Sequence, residues 1–101
     1  VVFANNVIDN ALIGIKCMHG SKNVVISGNN VSRASLWGLV MMPGTASHGA
    51  STVDGQPVRA NWTSGNVIAH NVFSRMGEGD DAFHWLPTGS IRAISIEAGP
   101  D

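Results

Sequence analysis

The segment Gly79-Asp80-Asp81-Ala82 sets two carboxylates side by side, with Glu78 just before them and His84 three residues after Asp81. Two carboxyl groups sharing a groove can act as general acid and base, or activate water, at a glycosidic bond. His84 would add a proton donor or acceptor that works near neutral pH. The acids Glu78, Asp80 and Asp81 are also hard oxygen donors of the kind Ca²⁺ takes, although their spacing is not that of a complete calcium loop. An Asp following Gly commonly accepts backbone N–H groups at a turn. Catalysis, calcium binding and a structural role are therefore three open readings of the same residues. Trp62 and Trp85 are candidate platforms for stacking on sugar rings, and His48 falls in a polar stretch that would lie near them. Trp37 has the same option, but aligns with an apolar position, Ile13, and can equally pack inward. Asn61-Trp62-Thr63 matches the glycosylation sequon.

Elements that could carry such a site emerge from an internal repeat. Asn6-Val7 precedes Gly14, Asn30-Val31 precedes Gly38, and Asn71-Val72 precedes Gly79, each Gly lying eight residues beyond its Asn. Asn5 to Met18 lies over Asn29 to Met42 without a gap at an offset of 24 residues. The third unit follows after a further 17-residue insertion. That insertion, at about residues 43–59, is rich in Gly, Ser, Thr and Pro and has the composition of a loop. β-Branched runs precede each Asn-Val pair, at Val1-Val2-Phe3, Val24-Val25-Ile26 and Val67-Ile68, and a fourth alternating run spans Ile91 to Ile96. No segment has a helical stripe. Short strands at a period in the twenties cannot bury a face alone and must stack.

The gapless register predicts core columns of Val7, Val31 and Val72, of Ile15 with Leu39, and of Cys17 with Met41. It places Asn6, Asn30 and Asn71 in one amide ladder, with Asn5, Asn29 and His70 in the row beside it. Asp80 then takes the inward position of Ile15 and Leu39, where a lone carboxylate is costly to bury unless a bulge turns it out.

This repeat, strand followed by Asn-bearing turn, Gly and second strand, resembles the right-handed parallel β-helix of the pectate-lyase-like superfamily. The resemblance covers residues 1 to 97 and implies an all-β solenoid of about three to four coils. A β-sandwich would not require Asn and Gly at matching places in three units. The residues Gly79-Asp80-Asp81 further resemble the Gly-Asp-Asp segment of polygalacturonases, β-helical enzymes that hydrolyse pectin with paired aspartates. That likeness implies Asp80 and Asp81 as catalytic acids. The chain departs from the family in having Ala82 where Cys is usual, and Leu36 to Val40 where an Asn-Thr-Asp motif would fall.

Composition narrows the partners. A net charge of −1 and only 13% charged residues leave no basic patch for nucleic acid. The longest apolar run, Leu36 to Met42, falls well short of the ~20 residues of a membrane span. Cys17, the one cysteine, has no partner in the chain for a disulfide and reads as a small core residue. The chain shows no signal peptide or starting Met and reads as a single β-helix segment, 1–101, of a longer protein. Two functions fit: a secreted glycoside hydrolase or polysaccharide lyase, or a non-catalytic surface, adhesion or tailspike-like module that binds glycans. A stack without end caps is expected to associate through its open strand edges.

Overall fold

The computed structural model describes residues 1–18, 20–42, 52–53, 56–57, 63–80 and 90–96. All regular structure among them is strand. Three strand triplets form successive tiers. Tier 1 holds β1 (Val2–Ala4), β2 (Val7–Asp9) and β3 (Ile13–Cys17); tier 2 holds β4 (Val25–Ser27), β5 (Asn30–Ser32) and β6 (Trp37–Met41). Between tiers 2 and 3 lie two short strands, β7 (Thr52–Val53) and β8 (Gln56–Pro57), paired antiparallel. Tier 3 holds β9 (Val67–Ala69), β10 (Val72–Ser74) and β11 (Arg92–Ile96). Each tier gives one strand to each of three parallel sheets, β1-β4-β9, β2-β5-β10 and β3-β6-β11, with tier 2 central in all of them.

The three sheets enclose one core. Ile26 from the first sheet, Val31 from the second, and Ile15, Leu39 and Met41 from the third are buried against one another. The columns run Phe3–Ile26–Ile68, Ile8–Val31–Phe73, Ile15–Leu39–Ile94 and Cys17–Met41–Ile96. The expected columns of Ile15 with Leu39 and Cys17 with Met41 are present. Cys17 packs against the core, and its burial pushes the thiol pKa up, away from the reactive thiolate.

The register of the second sheet differs from the gapless alignment by one residue. Val7 pairs with Asn30, and Ile8 with Val31. Val7 and Val72 therefore point outward, at 82% and 57% exposure, and Ile8 and Phe73 take the core places expected of them. A slip of one residue exchanges the two faces of a strand. Its cause is the bend after the second strand. Arg33 to Leu36 connects β5 to β6, one residue more than Asn10 to Leu12 between β2 and β3. The spacing is thus 23 residues before the bend and 24 after it.

The amide ladder accordingly runs through Asn6, Asn29 and Asn71, not through Asn30. Asn6 donates to Asn29 Oδ1 from its backbone N–H at 3.0 Å and from Nδ2 at 2.9 Å. Asn29 repeats both bonds to Asn71 Oδ1, each at 3.0 Å. The second proton of each Nδ2 goes to a backbone carbonyl: Ala4 for Asn6, Phe3 for Asn29 and Ile26 for Asn71. Asn29 is fully buried, and this bonding is what makes its burial affordable. The neighbouring row is Asn5, Gly28 and His70, all left-handed at φ of 58°, 67° and 57°. That conformation turns the chain between first and second strands and suits Asn and Gly.

Two further expectations change. The run at Ile91 to Ile96 does not begin a fourth unit; β11 is the third strand of tier 3, with Ile94 beside Leu39. Asp80 consequently does not occupy the Ile15–Leu39 column, and Gly79 is not the partner of Gly14 and Gly38. Within the insertion expected at about 43–59, the described residues are β7 and β8, paired antiparallel. A second insertion, between β10 and β11, had no counterpart in the sequence reading.

Replacing Asn29 with Ala should destabilise the protein by about 1–3 kcal/mol, because it takes the acceptor from the part-buried Asn6 N–H and removes the amide bonds to Phe3 and Asn71. Asn6→Ala leaves the Asn6 N–H bonded and should cost under about 1 kcal/mol. Urea unfolding of the two variants tests the difference. Gly38→Ala should cost about 1–3 kcal/mol, since its Cβ would come within 2.6 Å of the Ala93 carbonyl oxygen, which is backbone and cannot rotate away.

Candidate functional site

The second corner of each tier, between second and third strands, carries the polar chemistry. Asn10, Arg33 and Arg75 occupy it, all left-handed at φ of 60°, 53° and 55°. Asn accepts that conformation readily; Arg rarely does, and two in one column hold their side chains at the same edge of the stack. The residues just before them, Asp9, Ser32 and Ser74, are register partners in the second sheet.

Asp9 accepts from Ser32 Oγ at 2.7 Å and from Arg33 Nε at 2.9 Å on one oxygen, and from Arg33 Nη2 on the other. The guanidinium fork of Arg33, with help from the Ser32 hydroxyl, holds the Asp9 carboxyl well below the usual carboxylate range. The same bond raises the pKa of Arg33. Both side chains remain substantially exposed. Asp9 is therefore fixed as an anion with two cationic contacts, which suits orientation and not proton transfer.

Beyond Arg75 the chain turns back across the lower tiers. Arg75 binds Glu78 through Nε at 3.0 Å, and the Glu78 N–H closes a turn onto the Arg75 carbonyl. The Gly77 N–H bonds the Ala34 carbonyl in tier 2. Gly79 then lies so close to Arg33 and Ser35 that any Cβ would collide with the Arg33 carbonyl oxygen. Asp80 arrives at tier 1, where its N–H donates to Asn10 Oδ1 at 2.8 Å and its Oδ2 accepts from Asn10 Nδ2 at 2.7 Å. One amide thus grips both the backbone and the side chain of Asp80. The residue is exposed, and its Oδ1 has no partner among the described residues.

Of the candidate residues, Asp80 and Glu78 stand on this corner ridge. Glu78 is engaged by Arg75 and Asp80 by Asn10, and no group of three metal-ligating side chains occurs among the described residues. Asp81, His84, Trp85, Trp62 and His48 lie outside the described residues. Trp37 is half-buried and donates from its indole N–H to the Ser90 carbonyl at 2.9 Å, a packing role. Asp9, Asn10, Arg33 and Arg75 went unnoticed in the sequence. Their signal was the repeated Ser-Arg of Ser32-Arg33 and Ser74-Arg75, which keeps the 42-residue spacing of Asn29 and Asn71.

Comparison of the chain with family models, with curated proteins and with solved structures finds no match. What defines it is its own geometry: an all-β stack of three parallel sheets with a charged ridge along one corner. No helix among the described residues is long and apolar enough to cross a membrane.

Because its folded pKa is depressed, Asp9 contributes stability that is present above its ordinary value of about 3.9 and is lost as pH falls through the lower folded value. Urea midpoints measured from about pH 5 downward should fall more steeply for the natural protein than for Asp9→Asn. Ser35 Oγ is buried under Gly79 with no hydrogen-bond partner among the described residues. Ser35→Ala should therefore be neutral or slightly stabilising in the same assay.

Proposed function

We propose that this chain is part of a right-handed parallel β-helix, akin to the pectate-lyase-like superfamily, that acts on an extracellular or cell-surface polysaccharide. The observation that supports the fold is the repeated pairing of like strands in all three sheets, joined by a buried asparagine ladder. The observation that supports the activity is the exposed Asp80 carboxylate, held in place by Asn10 on a ridge that also displays Asp9, Arg33, Arg75 and Glu78. A rigid stack with a polar corner offers an extended glycan a line of hydrogen-bonding groups, and oriented carboxylates are the usual agents of glycosidic bond cleavage. Asp80 is the candidate acid or base, with Asp81 as its partner carboxylate and His84 assisting. Trp62, Trp85 and His48 are the candidate sugar contacts. Calcium, if required, would draw on Glu78, Asp80 and Asp81.

A second reading has its own support. The double bond between Asn10 and Asp80 fastens a returning segment to tier 1, which is a sufficient structural reason for an Asp. In that case the ridge binds glycan without cleaving it.

Asp80→Asn separates the two, since Asn retains an oxygen for Asn10 Nδ2 and keeps the backbone bond. Turnover is followed as reducing ends and as unsaturated uronide absorbance on a panel of neutral and acidic polysaccharides, with binding measured in parallel. The enzyme reading expects Asp80→Asn to lower turnover by about 10²–10⁴-fold with binding retained. Binding without turnover in the natural protein selects the adhesion reading. Absence of both overturns the proposal.

A further inference from the structure

Asn30 stands where the fold has no use for an asparagine. It opens β5 in the central tier and is register partner to Val7 on one side and Val72 on the other. Asn is disfavoured in strands, and both of its partners are the β-branched residue that strands favour. Other asparagines are engaged: Asn6, Asn29 and Asn71 form the ladder, Asn10 holds Asp80, and Asn66 bonds the backbone of Val24 and Ser21. The Asn30 amide has no hydrogen-bond partner among the described residues. Asn30 is exposed although a strand lies on either side of it, so its exposure does not come from an open end of the stack.

Asn30-Val31-Ser32 is also an Asn-x-Ser sequence without Pro in the middle place, the acceptor pattern for N-linked glycosylation. Alternate residues of a strand share a face. Val31 points into the core, so the Asn30 amide and the Ser32 hydroxyl both stand on the outer side. On that side Asn30 is flanked, at the ~4.8 Å spacing of neighbouring strands, by Val7 and Val72, which are 82% and 57% exposed. An acetamido sugar has one apolar ring face and a methyl group, and a sugar attached at Asn30 reaches both valines. Covering them removes apolar surface from water, which is favourable.

We infer that Asn30 carries an N-linked glycan whose first sugar lies over Val7 and Val72. The inference rests on the extracellular reading above, because this modification belongs to chains that enter a secretory compartment. In the transfer, Asn30 Nδ2 bonds to the anomeric carbon of a lipid-diphosphate-linked oligosaccharide. The bond from that carbon to the diphosphate oxygen breaks, the lipid diphosphate leaves with its electron pair, and Nδ2 loses one proton. Transfer to the chain before it folds meets no obstacle from the strand or from the bond of Ser32 to Asp9.

The test translates the whole chain into microsomes behind a signal peptide, with Asn61→Gln to remove the other sequon. Occupancy is read by gel shift and by mass after peptide N-glycosidase, which converts a glycosylated Asn to Asp. One glycan is expected, with the conversion at Asn30, and Asn30→Gln or Ser32→Ala should each abolish it. An Asn30 that stays bare overturns the inference. The gel shift does not depend on folding, so it reads the variants even if one of them fails to fold. In secreted protein trimmed to a single sugar, nuclear Overhauser contacts are expected from the acetamido methyl to the methyls of Val7 and Val72; their absence overturns the placement over the valines. Neither readout uses a polysaccharide substrate. A chain that acts on polysaccharide with Asn30 bare therefore overturns this inference alone, and a glycosylated chain without such action overturns only the proposed function.

Discussion

Everything in this molecule rests on like pairing with like along the stack. A strand of three residues makes too few contacts to persist alone, yet β4, β5 and β6 each have a partner on both sides. Asn29 extends that rule from backbone to side chain. Its amide sits in a fully buried place because it reproduces, at right angles to the strands, the donor and acceptor pattern of a peptide group. An apolar residue there would take the acceptor from the part-buried Asn6 N–H and would remove the amide bonds to Phe3 and Asn71. The ladder thereby ties side chain and backbone to one register, since Asn6, Asn29 and Asn71 each bond to the equivalent residue of the next tier.

The corner ridge follows from the same repetition. Asn10, Arg33 and Arg75 turn the chain at equivalent places, so the stack delivers their side chains to one edge without any dedicated loop. Charges of opposite sign alternate along that edge, Asp9 with Arg33 and Arg75 with Glu78, which spares the column the repulsion that identical residues would bring. The returning segment from Met76 to Asp80 crosses this edge tightly, and Gly77 and Gly79 are where it comes closest. Asp80 owes its position to Asn10, a residue 70 positions earlier.

Much of the architecture was legible in the sequence. Strand-only structure, a period in the twenties, an asparagine ladder and the Ile15–Leu39 and Cys17–Met41 columns all came from spacing. The errors have one physical root. Asn29 and Asn30 are adjacent, as are Asn5 and Asn6, so a shift of one residue still lays Asn on Asn. Only the extra residue between β5 and β6 reveals it, and bends leave no hydrophobic period to count. Likewise Gly79 imitated Gly14 and Gly38 in spacing while lying in a different part of the tier, which moved Asp80 from a column to a corner. The ridge was hidden because its members are far apart in sequence and meet only after stacking.

The ladder also gives the stack an electrical axis. Peptide dipoles in a sheet largely lie across it, and strands of opposite sense would cancel what remains. The amides of Asn6, Asn29 and Asn71 instead all point one way, positive toward tier 3 and negative toward tier 1. Each polarises the next, so the effect grows with the number of tiers. A cation near Asn6 and an anion near Asn71 are favoured for the reason they are favoured at opposite ends of a helix, in a molecule whose described structure contains none.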